Sequence, residues 1–329
     1  MWKVNAGRRS ALADDFIERN VVAIGWREAG DYSDARSYDE VYKLISAASP
    51  EQTEKQKQVS SGQIWRFLTE VSIGDSILTY APETRLYHIG VVKGSPIFRP
   101  REIPALPVQR SVEWKSSVSR DDLSQAARGR LGAILTLFKV AHSAVVELEA
   151  LAEGGHVHAQ PNTDEALALD DASDPFESLE EQAIERVKDR LLRLDWDEMQ
   201  QIVASLLRAL GYRTQISPAG PDRGKDIIAS RDGFGFERPR IVVEVKHRRD
   251  QMGAQEIRSF LGGRHQDDRG LYVSTGGFSR DAHYEAERAS TVTHLMTLDE
   301  LAHALIEQYD QIDEDGRRLL PLTKIYWPA

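Results

Sequence analysis

The stretch PDRGKDIIASRDGFGFERPRIVVEVKHR, residues 221–248, narrows what this chain can fold into more than any other. It sets Asp226, Glu244 and Lys246 in or beside strongly apolar runs, where a charge is costly to desolvate. Side chains alternate between the faces of a strand, so Ile241, Val243 and Val245 point one way while Val242, Glu244 and Lys246 point the other. The Gly- and Pro-containing segment RDGFGFERPR can fold one strand back antiparallel to the next, which brings Asp226 beside Glu244. Two close carboxylates repel unless a cation lies between them, and a hard ion such as Mg2+ takes a few carboxylate oxygens plus water and substrate phosphate. A lysine alongside can orient or deprotonate the attacking water, or stabilise charge growing on the phosphate. That constellation suits phosphodiester hydrolysis. The structural alternative is a Glu244–Lys246 ion pair on an exposed sheet edge with Asp226 capping a turn.

The 329 residues contain no cysteine, which excludes disulfides, thiolate zinc sites and cysteine nucleophiles together. Any metal is therefore held by oxygen or imidazole. No run of about eighteen apolar residues occurs and the first twenty residues lack the apolar centre of a leader, so a cytoplasmic protein without a membrane partner is expected. A net charge of -10 repels phosphate at long range. Its distribution matters more, because much of the acid falls within residues 147–185 while Arg238, Arg240, Lys246, His247, Arg248 and Arg249 surround the hairpin. A basic working surface beside an acidic linker fits both facts.

Along the chain, residues 1–150 alternate short β-type runs with helical ones. The strand candidates MWKVNA, VVAIGW, SILTYA, LYHIGVV and RSVEW predict a small barrel with helices. Residues 51–71 read as a helix with Ile64, Phe67, Leu68 and Val71 on one face, and Ser119 is expected to cap another that runs through LGAILTLFKV. Residues 151–177 have Gly, Pro, Asn and acids without an apolar period and read as a flexible linker, in which the His156/His158 pair is a solvated loop feature. From residue 178 on, helices alternate with strands, which implies an α/β (α+β) domain with a partly parallel sheet covered by helices.

The segments LLRALGY, DRGKDIIA, IVVEVKHR, EIRSFLGG and LYVSTGGFS, in this order over about a third of the chain, resemble the Mrr-like restriction endonuclease branch of the PD-(D/E)XK nuclease superfamily. The resemblance implies an αβββαβ core acting on DNA, with Asp226 and Glu244 as metal ligands, Lys246 assisting the water and Asp222 as a loop acid at the edge of the site. One position departs from the pattern. Many relatives carry a glutamate in the first helix of this core, whereas the aligned pair here is Met199 and Gln200. Gln200 can bind a metal-bound water without bringing charge, and Glu198 either substitutes for the missing acid or caps the helix. Gln255 is a candidate for contact with phosphate or water. Ser274 and Thr275, ahead of Gly276 and Gly277, are candidates for phosphate contact, as are Arg248 and Arg249 for DNA binding.

In the first domain, GDSILTYAPETRLYHIGVV, residues 74–92, with MWKVNAG and VVAIGW, resembles EVE and other PUA-like domains, several of which take a modified base turned out of the duplex. Extruding a base costs a few kcal/mol, which a flat aromatic partner and hydrogen bonds recover. Trp26, Tyr80 and Trp114 stand at the ends of strand candidates and form the expected pocket with Asp75, although core packing explains any one of these aromatics and turn capping explains Asp75. The combined expectation is a modification-dependent endonuclease that uses Mg2+, with Mn2+ as substitute, on double-stranded DNA, as a homodimer or pairing on DNA. The alternatives are a non-catalytic nucleic-acid sensor and a structure-specific repair nuclease.

Overall fold

The structure, a computed structural model, describes residues 1–133, 135–154, 175–217, 226–232, 236–262, 264–265 and 267–325. Most of the expected linker, with His156 and His158, lies outside the described residues, as do Asp222 and the chain after Ile325. Contacts divide the chain into two compact units, Met1–Glu181 and Gln182–Ala329. No helix among the described residues is long and apolar enough to cross a membrane.

The first unit runs β1 (Trp2–Val4), α1 (Ala13–Arg19), β2 (Val21–Ile24), α2 (Tyr38–Ala48), α3 (Glu54–Thr69), β3 (Ser76–Ala81), β4 (Leu86–Val92), β5 (Ile97–Phe98), β6 (Val108–Ser119), α4 (Gln125–Leu131), β7 (Leu137–Lys139) and α5 (His142–Ala152). Its sheet has the order β2-β6-β4-β3-β1-β7, with β5 added on β6. Strand β6 pairs with β2 and β5 through its first residues and with β4 from Val112 onward, which curls the sheet. The β4–β6 register shifts between Ile89 and Gly90, where a Cβ on Gly90 would lie 2.6 Å from Val112 Cγ1 and 2.9 Å from the Glu113 oxygen. The Ile-Gly step in the sequence is thus a packing requirement. No pairing among the described residues closes this sheet into the expected barrel.

Helix α3 forms because Thr53 and Gln56 make a capping box at its start and Ile64 and Phe67 bury on one face. The helix expected from Ser119 through residue 140 does not exist. Strand β6 extends to Ser119, whose hydroxyl caps a single 3-10 turn, and Ser124 caps the short α4. Leu137 and Phe138 then pair antiparallel with Val4 and Lys3, so sheet partners more than a hundred residues away override the local helical pattern.

The chain continues with α6 (Pro175–Leu191), α7 (Trp196–Ala209), β8 (Arg213–Ile216), β9 (Ile227–Ser230), β10 (Ile241–Lys246), α8 (Ala254–Leu261), β11 (Arg269–Ser274), α9 (Arg280–Glu287), β12 (Thr293–Thr297), α10 (Leu298–Glu307) and α11 (Glu314–Leu319). The order α7-β8-β9-β10-α8-β11 is an αβββαβ succession, extended by α9, β12 and α10. The strands lie in the order β12-β11-β10-β9-β8; β8, β9 and β10 are antiparallel neighbours, while β10, β11 and β12 are parallel. Asp195 and Glu198 form a capping box that starts α7, and Gly211 at φ +89° follows its end.

The period of two in β10 sorts its side chains between two cores. Val243 and Val245 bury with Ile202, Val203, Leu206 and Leu301 from α7 and α10. On the opposite face, Tyr272 of β11 packs with Ile257 and Phe260 of α8 and Ala282 of α9. Each fully buried Val or Leu contributes roughly 1.5–3 kcal/mol, so these two layers hold the sheet and with it the polar group on β10.

Candidate functional site

The polar group gathers where β9 enters the sheet beside β10. The Asp226 backbone N–H donates to Val243 O at 2.9 Å, and its Oδ2 accepts the Val245 N–H at 2.6 Å. Glu244 lies between those two residues. Both carboxylates are buried, Asp226 at 4% exposure and Glu244 at 8%. Lys246 Nζ stands 2.6 Å from Glu244 Oε1, and the buried guanidinium of Arg264 lies 3.8 Å from Glu244 Oε2 while stacking over the Phe260 ring at 4.1 Å. The Lys246 side chain, 35% exposed, is the member of the trio that reaches solvent.

Tyr272 faces Glu244 across the parallel β10–β11 pair, and its hydroxyl is buried without a hydrogen-bond partner among the described residues. Burial first, and then the negative charge of Glu244, push that hydroxyl well above the ordinary tyrosine range, with Asp226 adding in the same sense. One hydroxyl thus senses both carboxylates. Ser274 faces Lys246 in the same register, and its Oγ is also buried and has no partner among the described residues. Tyr272 and Arg264 are absent from the sequence-based set. The alternation in LYVST puts Tyr272 and Ser274 on one face, but the register that places them opposite Glu244 and Lys246 is a tertiary fact.

Several expected roles change. Glu198 caps α7, its Oε2 accepting the Asp195 N–H at 2.9 Å, so it does not replace the missing helix acid. Gln200 is 2% exposed, and its Nε2 has no partner among the described residues. Gln255 is exposed in the first turn of α8. Ser274 and Thr275 are buried and present no surface for a phosphate; the Thr275 hydroxyl donates to Arg248 O at 3.1 Å and ties the ends of β10 and β11 together. A Cβ on Gly276 would fall 2.3 Å from Asp250 O, so that glycine serves close approach of the two strand ends. Arg248 and Arg249 are exposed, with Arg248 paired to Glu256 at 3.2 Å. Arg238, which is exposed, and the partly exposed Arg240 both pair with the buried Asp268, which offsets part of the expected basic charge.

The expected aromatic cage in the first unit does not assemble. Trp26 and Trp114 pack on the core cluster that contains Val22, Ile24 and Phe67, while Tyr80 belongs to a separate cluster and stacks on Tyr87 with ring centroids 4.7 Å apart. The Asp75 carboxylate is used in its own turn, accepting Ser72 N–H at 2.9 Å and the Trp2 indole N–H at 3.2 Å.

Residues 191–305 match the Mrr_cat family model, described as a restriction endonuclease. This segment is an Mrr_cat domain. It contains Gln200, Asp226, Glu244, Lys246 and Tyr272. Residues 2–140 match a domain of unknown function, DUF8426. An uncharacterized protein y4cE of Sinorhizobium fredii (strain NBRC 101917 / NGR234) is 31% identical over 103 residues, 30% of this chain and 26% of that protein, so the match spans about a quarter of that relative. Among solved structures, MspJI restriction endonuclease in complex with a 27-mer oligonucleotide superposes at a TM-score of 0.29 with 12% identity, over 85% of this chain and 68% of that one. The DNA modification-dependent restriction endonuclease AspBHI superposes at 0.33 with 14% identity, over 80% and 72%.

The donor set of the Mrr_cat domain suits a hard divalent ion. Such an ion binds through one or two carboxylates and keeps waters and substrate phosphate for its other positions. Asp226 accepts the Val245 N–H with Oδ2, and Glu244 offers its carboxylate beside it. Among the described residues no third acidic or histidine ligand joins them.

Proposed function

We propose that this chain is a divalent-metal-dependent DNA endonuclease whose Mrr_cat domain hydrolyses phosphodiester bonds. The observation that carries the reading is the meeting of Asp226, Glu244 and Lys246 at one sheet position inside the segment that matches a restriction endonuclease. Mg2+, or Mn2+ in its place, would be held by Asp226 and Glu244, and when bound it would polarise the scissile phosphate and acidify water. Asp226 is oriented by the backbone of β10, with its carboxylate held against the strand that carries Glu244. Lys246, the exposed member, is placed to hold the attacking water or to offset charge on the phosphate. Arg264 keeps a positive charge near Glu244 when Lys246 turns toward substrate.

The first unit is proposed to inspect bases, making the enzyme modification-dependent. Joining reader and cutter in one chain raises the local concentration of one at a site found by the other. Cutting both strands needs two active sites, which calls for a dimer or pairing on DNA. Plasmids carrying different cytosine and adenine modifications, incubated with Mg2+ or Mn2+, test the reading. Cleavage of at least one plasmid, lost in Asp226→Ala and Lys246→Ala, supports it; survival of every plasmid at high protein concentration leaves a non-catalytic DNA-binding sensor. The uncharged Gln200, at the helix position where the family resemblance implies a glutamate in many members, is the feature that favours the sensor.

A further inference from the structure

Tyr272 of β11 sits in a setting made for a phenylalanine. Its ring lies edge-on to Phe260 of α8, with centroids 5.1 Å apart, and to Phe278, ahead of α9, at 5.8 Å, and the residue is 1% exposed. A bare ring would satisfy both contacts equally. The hydroxyl is therefore surplus to the packing, and a buried tyrosine O–H ordinarily has a partner because one left without costs stability. Here it has none among the described residues.

The surroundings give that hydroxyl a direction. Tyr272 and Glu244 are register partners on parallel strands, so across the ~4.8 Å spacing of neighbouring strands their side chains leave one face of the sheet side by side. The ring is clamped between two others, whereas the Glu244 carboxylate turns on its own torsions. Burial, and then the charge of Glu244, keep the proton on the phenol, while Arg248, Glu256 and Asp226 also lie near enough to act on it. The group is thus a donor placed beside a carboxylate.

Glu244 is engaged elsewhere. Its Oε1 faces Lys246 Nζ at 2.6 Å and its Oε2 faces the Arg264 guanidinium at 3.8 Å, so both oxygens are turned to cations. In a working site the first of these contacts has to break, because a divalent ion on Glu244 repels the adjacent ammonium and Lys246 is needed at water or phosphate. Glu244 then loses its closest donor. A neutral O–H can replace it without adding positive charge, which fixes the carboxylate and leaves its full charge to the ion.

We infer that Tyr272 is a positioning residue, the neutral hydrogen-bond donor that takes over Glu244 when Lys246 turns to substrate. The inference rests on the proposed reading of Asp226 and Glu244 as metal-holding acids, and it gives the hydroxyl its role in the loaded site.

The test uses the full chain and Tyr272→Phe, which removes one oxygen. Melting in EDTA is read in two backgrounds. In the otherwise wild-type chain the variant melts at the parent's temperature or above it, because an orphaned group is lost. In Lys246→Ala, where Tyr272 already holds Glu244, the same change lowers the melting temperature by about 3 °C or more. Titration with MgCl2 is the second arm. The concentration that gives half of the thermal shift rises about ten-fold in Tyr272→Phe, the scale of losing a bond behind a metal-holding carboxylate, and half-maximal plasmid cleavage moves with it. A tyrosine that only fills the core moves neither the contrast between backgrounds nor the Mg2+ midpoint. Equal melting shifts in the two backgrounds overturn the inference, as does an Mg2+ midpoint left within about two-fold of the parent's. A parent without any Mg2+ shift removes the ion and the inference with it. Cleavage by the wild-type chain is read separately. A chain that cuts, with Tyr272→Phe showing neither effect, keeps the nuclease and loses the assignment of Tyr272; a chain that shows both effects and cuts no plasmid keeps Tyr272 as the partner of a metal-holding Glu244 and loses the endonuclease.

Discussion

Asp226 straddles Glu244: its backbone N–H reaches Val243 O at 2.9 Å and its carboxylate accepts the Val245 N–H at 2.6 Å. One acid is thereby fixed, through its backbone and its carboxylate, to the strand that carries the other. Substituting Asp226→Asn preserves an acceptor for Val245 and removes the charge. Cleavage is expected to fall by on the order of 10²–10³, the equivalent of several kcal/mol of lost electrostatic stabilisation, with a melting temperature near that of the parent. A plasmid assay beside a thermal melt checks both halves.

Lys246 touches Glu244 from the solvent side. Removing it as Lys246→Ala leaves Glu244 with Arg264 and should lower the cleavage rate by about 10²–10⁴ while DNA affinity in a gel shift changes little. Wild-type turnover in this variant would take Lys246 out of the chemistry and leave it as an ion-pair residue.

Gln200 is buried in α7, its Nε2 without a partner among the described residues. Gln200→Glu places a carboxylate there, which costs stability when nothing offsets the charge. The melting temperature is expected to drop in EDTA and to recover with Mg2+ by more than the parent protein gains. Equal Mg2+ shifts in the two proteins would mean that Gln200 lies outside the ion site.

Burial opposes ionisation of Asp268, but hydrogen bonds from Arg240 and the His265 N–H, with the charges of Arg240 and Arg238, outweigh it and hold the carboxyl below the usual aspartate range. Because the folded value is depressed, the stabilisation is present above the unfolded value of about 3.9 and is lost as pH falls through the folded one. Asp268→Asn should cost about 3 kcal/mol at neutral pH, the lower end for orphaning buried partners, since both arginines are partly exposed. Urea titrations at pH 7 and below pH 4 should show the variant with the shallower acid dependence.

Gly276 meets Asp250 O closely enough that Gly276→Ala must push β10 and β11 apart at their ends. A loss of about 1–3 kcal/mol is expected, with a matching decline in cleavage because Lys246 pairs with Ser274 in that same register. Chemical denaturation of the variant measures the first and the plasmid assay the second.

The sequence by itself determined whatever depends on near neighbours. The strict alternation of IVVEVK sorts Glu244 and Lys246 from Val243 and Val245, and the Asp195/Glu198 box with Gly211 bounds α7, because capping and strand alternation act over a few residues. Only the tertiary structure decided relationships between distant segments. Tyr272 faces Glu244 because β11 is parallel to β10 in one register, a choice invisible in either strand alone. Tyr80 parts from Trp26 and Trp114 because the two faces of one curled sheet feed different cores, and residues 137–139 become a strand because β1 is there to pair with them. Packing and non-local hydrogen bonds outweigh local preference at such positions, since each exchanges a weak propensity for buried surface and a satisfied backbone.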